Sequence, residues 1–236
     1  MHLQGMHVCC KQGSETQVSS RKMPAIAVAV GLGCFWLTGC QDPADKLSSL
    51  NETERSESLR AVAQRGSEAD VDRVAEFAGQ DDAVASTAVR CLGTMHHPKA
   101  AETLMMLAES APRPAVREEA VLQLGRVAGP EAIPILEKVL VYDFDPRVRG
   151  AAATSLARQN ALVDVPVLLD VAETDTDVAV QGRAVGAIEE LVGLRFGYDG
   201  RASAAKRAEA IKRIRSVAVP AAAALYDRQV LAGRFR

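Results

Sequence analysis

The side chains best suited to chemistry in this chain are two adjacent histidines, a spread of carboxylates and one cysteine. His96-His97-Pro98 puts two imidazoles together. A metal, however, needs three or four ligands at compatible spacing, and none follows at such a spacing, so the pair reads as the cap of a turn between helices. Gly31-Leu32-Gly33 is half of a dinucleotide-binding fingerprint, but it lacks the third glycine and follows no strand pattern. The sequence holds no G-x-S-x-G elbow and no Gly-rich phosphate loop. The expectation is a chain with no catalytic residue, no metal and no cofactor: a binding protein rather than an enzyme.

Carboxylates are the better candidates for binding. Glu102, Glu109, Glu131, Glu137, Asp164, Asp170 and Glu173 fall on every second predicted helix, where they either line a mildly acidic groove for a basic peptide or protein or simply solvate the helix faces. Glu102, Glu137 and Asp170 are the residues expected to meet a protein partner, with the aromatic pair Phe196 and Tyr198 as a second candidate. The whole chain has a formal charge of -2, and residues 40–236 hold 25 basic and 29 acidic side chains. No basic bias recommends nucleic acid as a partner. Cys91, beside Leu92 on the apolar side of a predicted helix, reads as a small buried hydrophobe.

The first forty residues stand apart. Arg21 and Lys22 precede an uncharged apolar run from Pro24 to Leu37, shorter than the roughly 20 residues of a membrane span. It ends in Leu37-Thr38-Gly39-Cys40, which resembles the lipobox of bacterial lipoproteins. That resemblance implies that residues 1–39 are a signal peptide removed on export, and that Cys40 is acylated and becomes the N-terminus. The membrane would then be reached through lipid at Cys40, on the periplasmic side of the cell envelope. Gln41 rather than Asp follows the cysteine, which favours the outer membrane. The polar stretch Met1 to Ser20, with Cys9 and Cys10, suggests a true start near Val18. Residues 40–50 read as the lipidated cysteine and a short polar tether.

From residue 51 onward the pattern is helical. Val84, Val116, Val148 and Val180 recur every 32 residues, followed in step by Ala88, Ala120, Ala152 and Ala184, and then by Leu92, Leu124, Leu156 and Ile188. Each 32-residue unit opens an A helix after an acidic or proline turn: Asp81-Asp82, Pro112-Arg113-Pro114, Asp143 to Pro146, Asp175 to Asp177. Gly93, Gly125 or Gly129, and Gln159-Asn160 are expected to close these helices. B helices answer at about 99–109, 130–141 and 162–173, with Leu104, Leu136 and Leu168 in step. A looser pair at 52–64 and 68–78 precedes them. Such a period signals an all-α solenoid of about five helix pairs spanning residues 51–236.

The run Asp145-Pro146-Arg147-Val148-Arg149-Gly150-Ala151-Ala152-Ala153, followed by Val165-Pro166-Val167-Leu168-Leu169, resembles a short HEAT repeat of the kind shared with phycobilin lyases. Arg117 and Arg149 hold the arginine position after the patterned valine, whereas Gln181 replaces it in the last unit. The resemblance implies a right-handed α-α superhelix of the HEAT/armadillo kind, with B helices lining its concave face. HEAT arrays host scaffolds, lyases and hydroxylases alike. The hydroxylases hold iron with His-Glu pairs, and no such dipeptide occurs here. The lack of a catalytic cluster, the exported context and the lipid anchor favour a membrane-tethered scaffold that holds another envelope protein. The alternative is a lyase-like enzyme, or an enzyme partner, that grips a cofactor-bearing protein in its groove.

From about residue 194 the beat breaks. Gly193 to Gly200 followed by a helix-like segment looks like the C-terminal unit of bacterial HEAT-repeat lipoproteins of unassigned role. Phe196 and Tyr198 either plug the open end as part of this cap or form a partner-binding loop. Arg201, Lys206, Arg207, Lys212, Arg213 and Arg215 make this end basic. Ala205, Ala208, Ile211 and Ala218 are its expected inward stripe, and Pro220 is expected to end the helix and open a short Ala-rich one.

Overall fold

Start signals and a three-to-four residue apolar spacing turn this sequence into ten helices, in a computed structural model that describes residues 42–48, 51–80, 84–127 and 129–233. They are α1 Glu52–Arg65, α2 Glu68–Ala78, α3 Ala85–Leu92, α4 Pro98–Ser110, α5 Pro114–Val127, α6 Ile133–Tyr142, α7 Pro146–Arg158, α8 Val165–Thr174, α9 Val178–Val192 and α10 Ala204–Leu231. No strand occurs among the described residues. The described residues form an all-α solenoid of five helix pairs. Cys40, the presequence and the Asp81-Asp82 turn lie outside the described residues.

The start signals work through orphan backbone donors. Asp145 accepts from the Arg147 N–H at 2.8 Å, Asp177 from the Ala179 N–H at 2.7 Å, and His97 Nδ1 from the Lys99 N–H at 3.2 Å. Of the histidine pair, His97 therefore caps the head of α4. Proline stands in the first turn of α4, α6, α7 and α8, where its missing donor costs nothing. Gly66 and Gly193 end α1 and α9 at φ of 68° and 70°, backbone that side chains with a Cβ rarely adopt.

The beat is the core. Each of the recurring Val, Ala and Leu/Ile positions is at most 2% exposed, as are Leu104, Leu136 and Leu168. Burying such an aliphatic side chain contributes about 1.5–3 kcal/mol, and in a repeat fold that burial exists only because the next unit supplies the other wall.

The two layers pack differently. The A helices α5, α7 and α9 lie against one another far more extensively than the B helices α4, α6 and α8, because small residues let their backbones approach. Gly125 is the clearest case: a Cβ there would sit 2.6 Å from Ser155 Oγ, and the fully buried Ser155 hydroxyl donates to the Val121 carbonyl at 2.9 Å. Bulkier B helices stay apart and leave clefts at the surface between them.

Four local expectations need correction. Gly125 does not close α5, which runs on to Val127; the glycine serves helix contact instead. Residues 43–48 of the expected tether form a 3-10 helix against α1, with Leu47 buried in the core and Asp42 paired to Arg65 at 2.7 Å. Pro220 lies inside one continuous α10. The buried positions Ile211, Ile214, Ala218 and Ala222 carry that helix past the proline, which is itself exposed, so the carbonyl it leaves unpaired faces water. Finally, Ala205 is exposed and Ala208 half-buried; Ile214 and Ala222 take the places expected of them.

Candidate functional site

In two successive repeats an arginine reaches into the next unit. Arg117 donates from Nε and Nη2 to the two Asp143 oxygens at 2.7 and 2.9 Å, and from Nη1 to the Ala111 carbonyl at 2.8 Å. Arg149 repeats the arrangement one unit later, with Asp175 at 2.7 and 2.8 Å and the Asp143 and Phe144 carbonyls at 2.9 and 3.3 Å. Both arginine side chains are only 12% exposed, and their partners 6–7%. Bidentate pairing in so dry a setting fixes geometry as well as energy. Burial pushes the Asp175 carboxyl up, but Arg149 and the Asp177 N–H outweigh it and hold it below its ordinary value.

Gln181 ends the series. Its Nε2 donates to the Asp175 carbonyl at 2.8 Å, as an arginine would, while its Oε1 accepts from Tyr198 Oη at 3.2 Å and Arg207 Nε at 3.1 Å. Tyr198 and Phe196 are half-buried and pack on the core, and the Phe196 N–H donates to Glu189 at 2.7 Å. Their rings thus stand where a further repeat would.

Between Arg117 and Arg149 lies a clamped turn with two exposed aromatic rings. Asp143 is gripped at its carboxylate by Arg117 and at its carbonyl by Arg149, and its Oδ1 also accepts the Asp145 N–H at 2.8 Å. On this rigid turn Tyr142 is 73% and Phe144 97% exposed. One beat away on either side, the same positions hold Ser110 and Thr174 in place of the tyrosine, and Pro112 and Thr176 in place of the phenylalanine. The fold therefore does not require aromatic rings there. Beside them, between α4 and α6, opens a cleft of about 360 Å3 walled by Ala111, Pro112, Val139 and both rings. Lys138 and Glu109 pair at 2.7 Å across it.

Of the residues expected from sequence to bind, Glu102 is exposed on α4, Glu137 half-buried on α6 and Asp170 exposed on α8. They do not make one stripe: on the 32-residue beat Asp170 aligns with Lys138 and Met106, Glu137 with Met105 and Leu169, and Glu102 with Pro134 and Pro166. Arg215 of α10 also binds both Asp170 and Glu173 at 2.9 Å. Cys40 lies outside the described residues. Cys91 is a free, buried thiol whose pKa burial raises. Among the described residues no group of His, Cys, Asp and Glu is arranged to hold a metal.

Glu137 matters in another way. It lies beside Asp164, which is 4% exposed and whose Oδ2 has no hydrogen-bond partner. Burial first, then the hydrogen bond and charge of Glu137, push the Asp164 carboxyl up to about 8. An acid raised in this way binds more protons folded than unfolded, so its stabilisation is complete below 3.8 and lost as pH rises through about 8. Asp164→Asn is therefore expected to stabilise the protein by about 1 kcal/mol at pH 9 and by less at pH 6. Urea midpoints at the two pH values check this.

Fold and surface together define a helical repeat solenoid with an exposed aromatic turn beside a surface cleft. Residues 71–157 match the sequence family described as HEAT repeats, so the chain carries HEAT repeats there. Similar solved structures include the following two. The complex of CpcE and CpcF of phycocyanin lyase from Nostoc sp. PCC7120 is 22% identical, covering 61% of this chain and 95% of that one, at a TM-score of 0.47. An engineered protein is also 22% identical, covering 72% and 95%, at a TM-score of 0.41. No curated protein matches the sequence.

Proposed function

We propose that this chain is a lipid-anchored HEAT-repeat scaffold of the cell envelope, which binds another protein through its surface and performs no catalysis of its own. The observation that carries the binding reading is the Tyr142–Phe144 turn. Two aromatic rings are held on a rigid backbone beside a cleft, at positions where neighbouring repeats use small or polar residues. Aromatic anchors of this kind dominate the energetics of protein interfaces, and a preorganised backbone spares the ordering entropy of docking.

The anchoring reading rests on Leu37-Thr38-Gly39-Cys40. Among the described residues no helix is long and apolar enough to cross a membrane, so lipid at Cys40 is the attachment proposed, on the periplasmic side and in the outer membrane. Asp42, two residues on, is tied to Arg65 of α1 at 2.7 Å. Two residues reach at most about 7 Å, so an acyl chain at Cys40 would hold α1 at the bilayer surface. Cys40→Ala is expected to abolish incorporation of labelled palmitate and move the protein to the soluble fraction; a wild type already unlabelled and soluble would overturn the anchor. For the binding reading, a photo-crosslinking side chain at Tyr142 in the full-length chain is expected to give adducts with protein in envelope fractions, and none overturns it.

A further inference from the structure

We infer that the protein docked on the Tyr142–Phe144 turn is a second copy of this chain, the pair related by a twofold axis through the cleft. The inference rests on the reading of that turn as a docking surface and adds the identity of the occupant. An isologous interface demands a patch complementary to itself, so knob and hole must lie side by side on one molecule. They do: Phe144, 97% exposed, stands at the rim of the cleft that Ala111, Pro112 and Val139 help to wall. At about 360 Å3 the cleft falls at the lower end of the roughly 300–1,000 Å3 of ligand pockets, suited to an inserted aromatic ring.

Charge favours the same occupant. Residues 40–236 carry 25 basic and 29 acidic side chains, so two copies repel on average. At this patch, however, Lys138 pairs with Glu109, Arg117 with Asp143 and Arg147 with Asp145, which leaves it neutral with both signs present. A twofold rotation can set Lys138 of one copy against Glu109 of the other, exchanging an exposed internal pair for an equivalent one across the interface. Attachment to one membrane would raise the effective concentration of the two copies, so weak affinity suffices.

The test uses two differently tagged full-length copies in the same cells, solubilised in detergent. One tag is expected to capture the other, and Phe144→Ser to reduce capture at least about tenfold. Val163→Ser, at a valine also 57% exposed but on another repeat, should leave it unchanged. An unaltered thermal midpoint in Phe144→Ser establishes that the fold is intact. Adducts from a crosslinking side chain at Tyr142 should contain both tags. If the copies do not co-purify and Tyr142 adducts contain only a different protein, self-association is overturned while the docking reading stands; if Tyr142 gives no adduct at all, both fall.

Discussion

Arg149→Ala is expected to lower the free energy of unfolding by about 3–5 kcal/mol, the usual consequence of removing one member of a buried ion pair. The magnitude comes from what stays behind. Asp175, 6% exposed, loses both short guanidinium bonds, and the Asp143 and Phe144 carbonyls lose a shared donor. Arg149→Lys keeps the charge but not the fork, so it should fall between the two. Arg149→Ala combined with Asp175→Ala should recover part of the loss, since no uncompensated charge remains. Urea unfolding at pH 7 measures all three. Asp175 has a folded pKa below its unfolded 3.8, so its stabilisation is present above about pH 4 and disappears as pH falls through the folded value. The deficit of Arg149→Ala should therefore shrink in acid.

That pairing was only half legible in the sequence. The 32-residue beat marked Arg117, Arg149 and the odd Gln181, and the acidic turns were readable as helix starts. In the turns before α7 and α9, however, two aspartates divide the work: Asp145 and Asp177 cap helices, whereas Asp143 and Asp175 bind arginine. A second spacing carries this information, since the partners lie 26 residues apart: Arg117 with Asp143, Arg149 with Asp175, Gln181 with Arg207. At the same offset the first repeat has Ala85 and Ala111, lacking both members. The cap keeps the bond but reverses its polarity, since Arg207 now donates to Gln181.

Tyr142 and Phe144 are illegible in any one repeat for a different reason. An apolar residue at the end of an amphipathic helix reads as core, and only comparison between repeats reveals that Ser110, Thr174, Pro112 and Thr176 serve the fold equally well at those places. Conversely, carboxylates on successive B helices suggest a groove until their phases on the beat are compared. The aliphatic positions on the 32-residue beat are legible because close packing leaves them no alternative, whereas the stripe of α10, off the beat, is not. Surface positions are constrained only by partners, which a single chain does not display.

Two glycine substitutions of opposite expected sign test why the layers differ. Alanine is favoured over glycine inside a helix by about 1 kcal/mol. Gly186 on α9 has nothing within 4 Å of an added Cβ, so Gly186→Ala should stabilise by about 0.5–1 kcal/mol. At Gly125 the same methyl would lie 2.6 Å from Ser155 Oγ and 2.8 Å from its Cα. A flexible side chain could turn away; a backbone atom of α7 cannot move without separating two helices and straining the Ser155 to Val121 hydrogen bond. Gly125→Ala is thus expected to destabilise by about 1–3 kcal/mol, and Gly125→Leu to exceed that range, as overpacking does in a close-packed interior. Thermal and urea unfolding of the three variants decide the matter. If Gly125→Ala behaves like Gly186→Ala, α5 and α7 do not touch as closely as described, and the small residues of the A layer lose their role in keeping the B helices, and the cleft beside Phe144, apart.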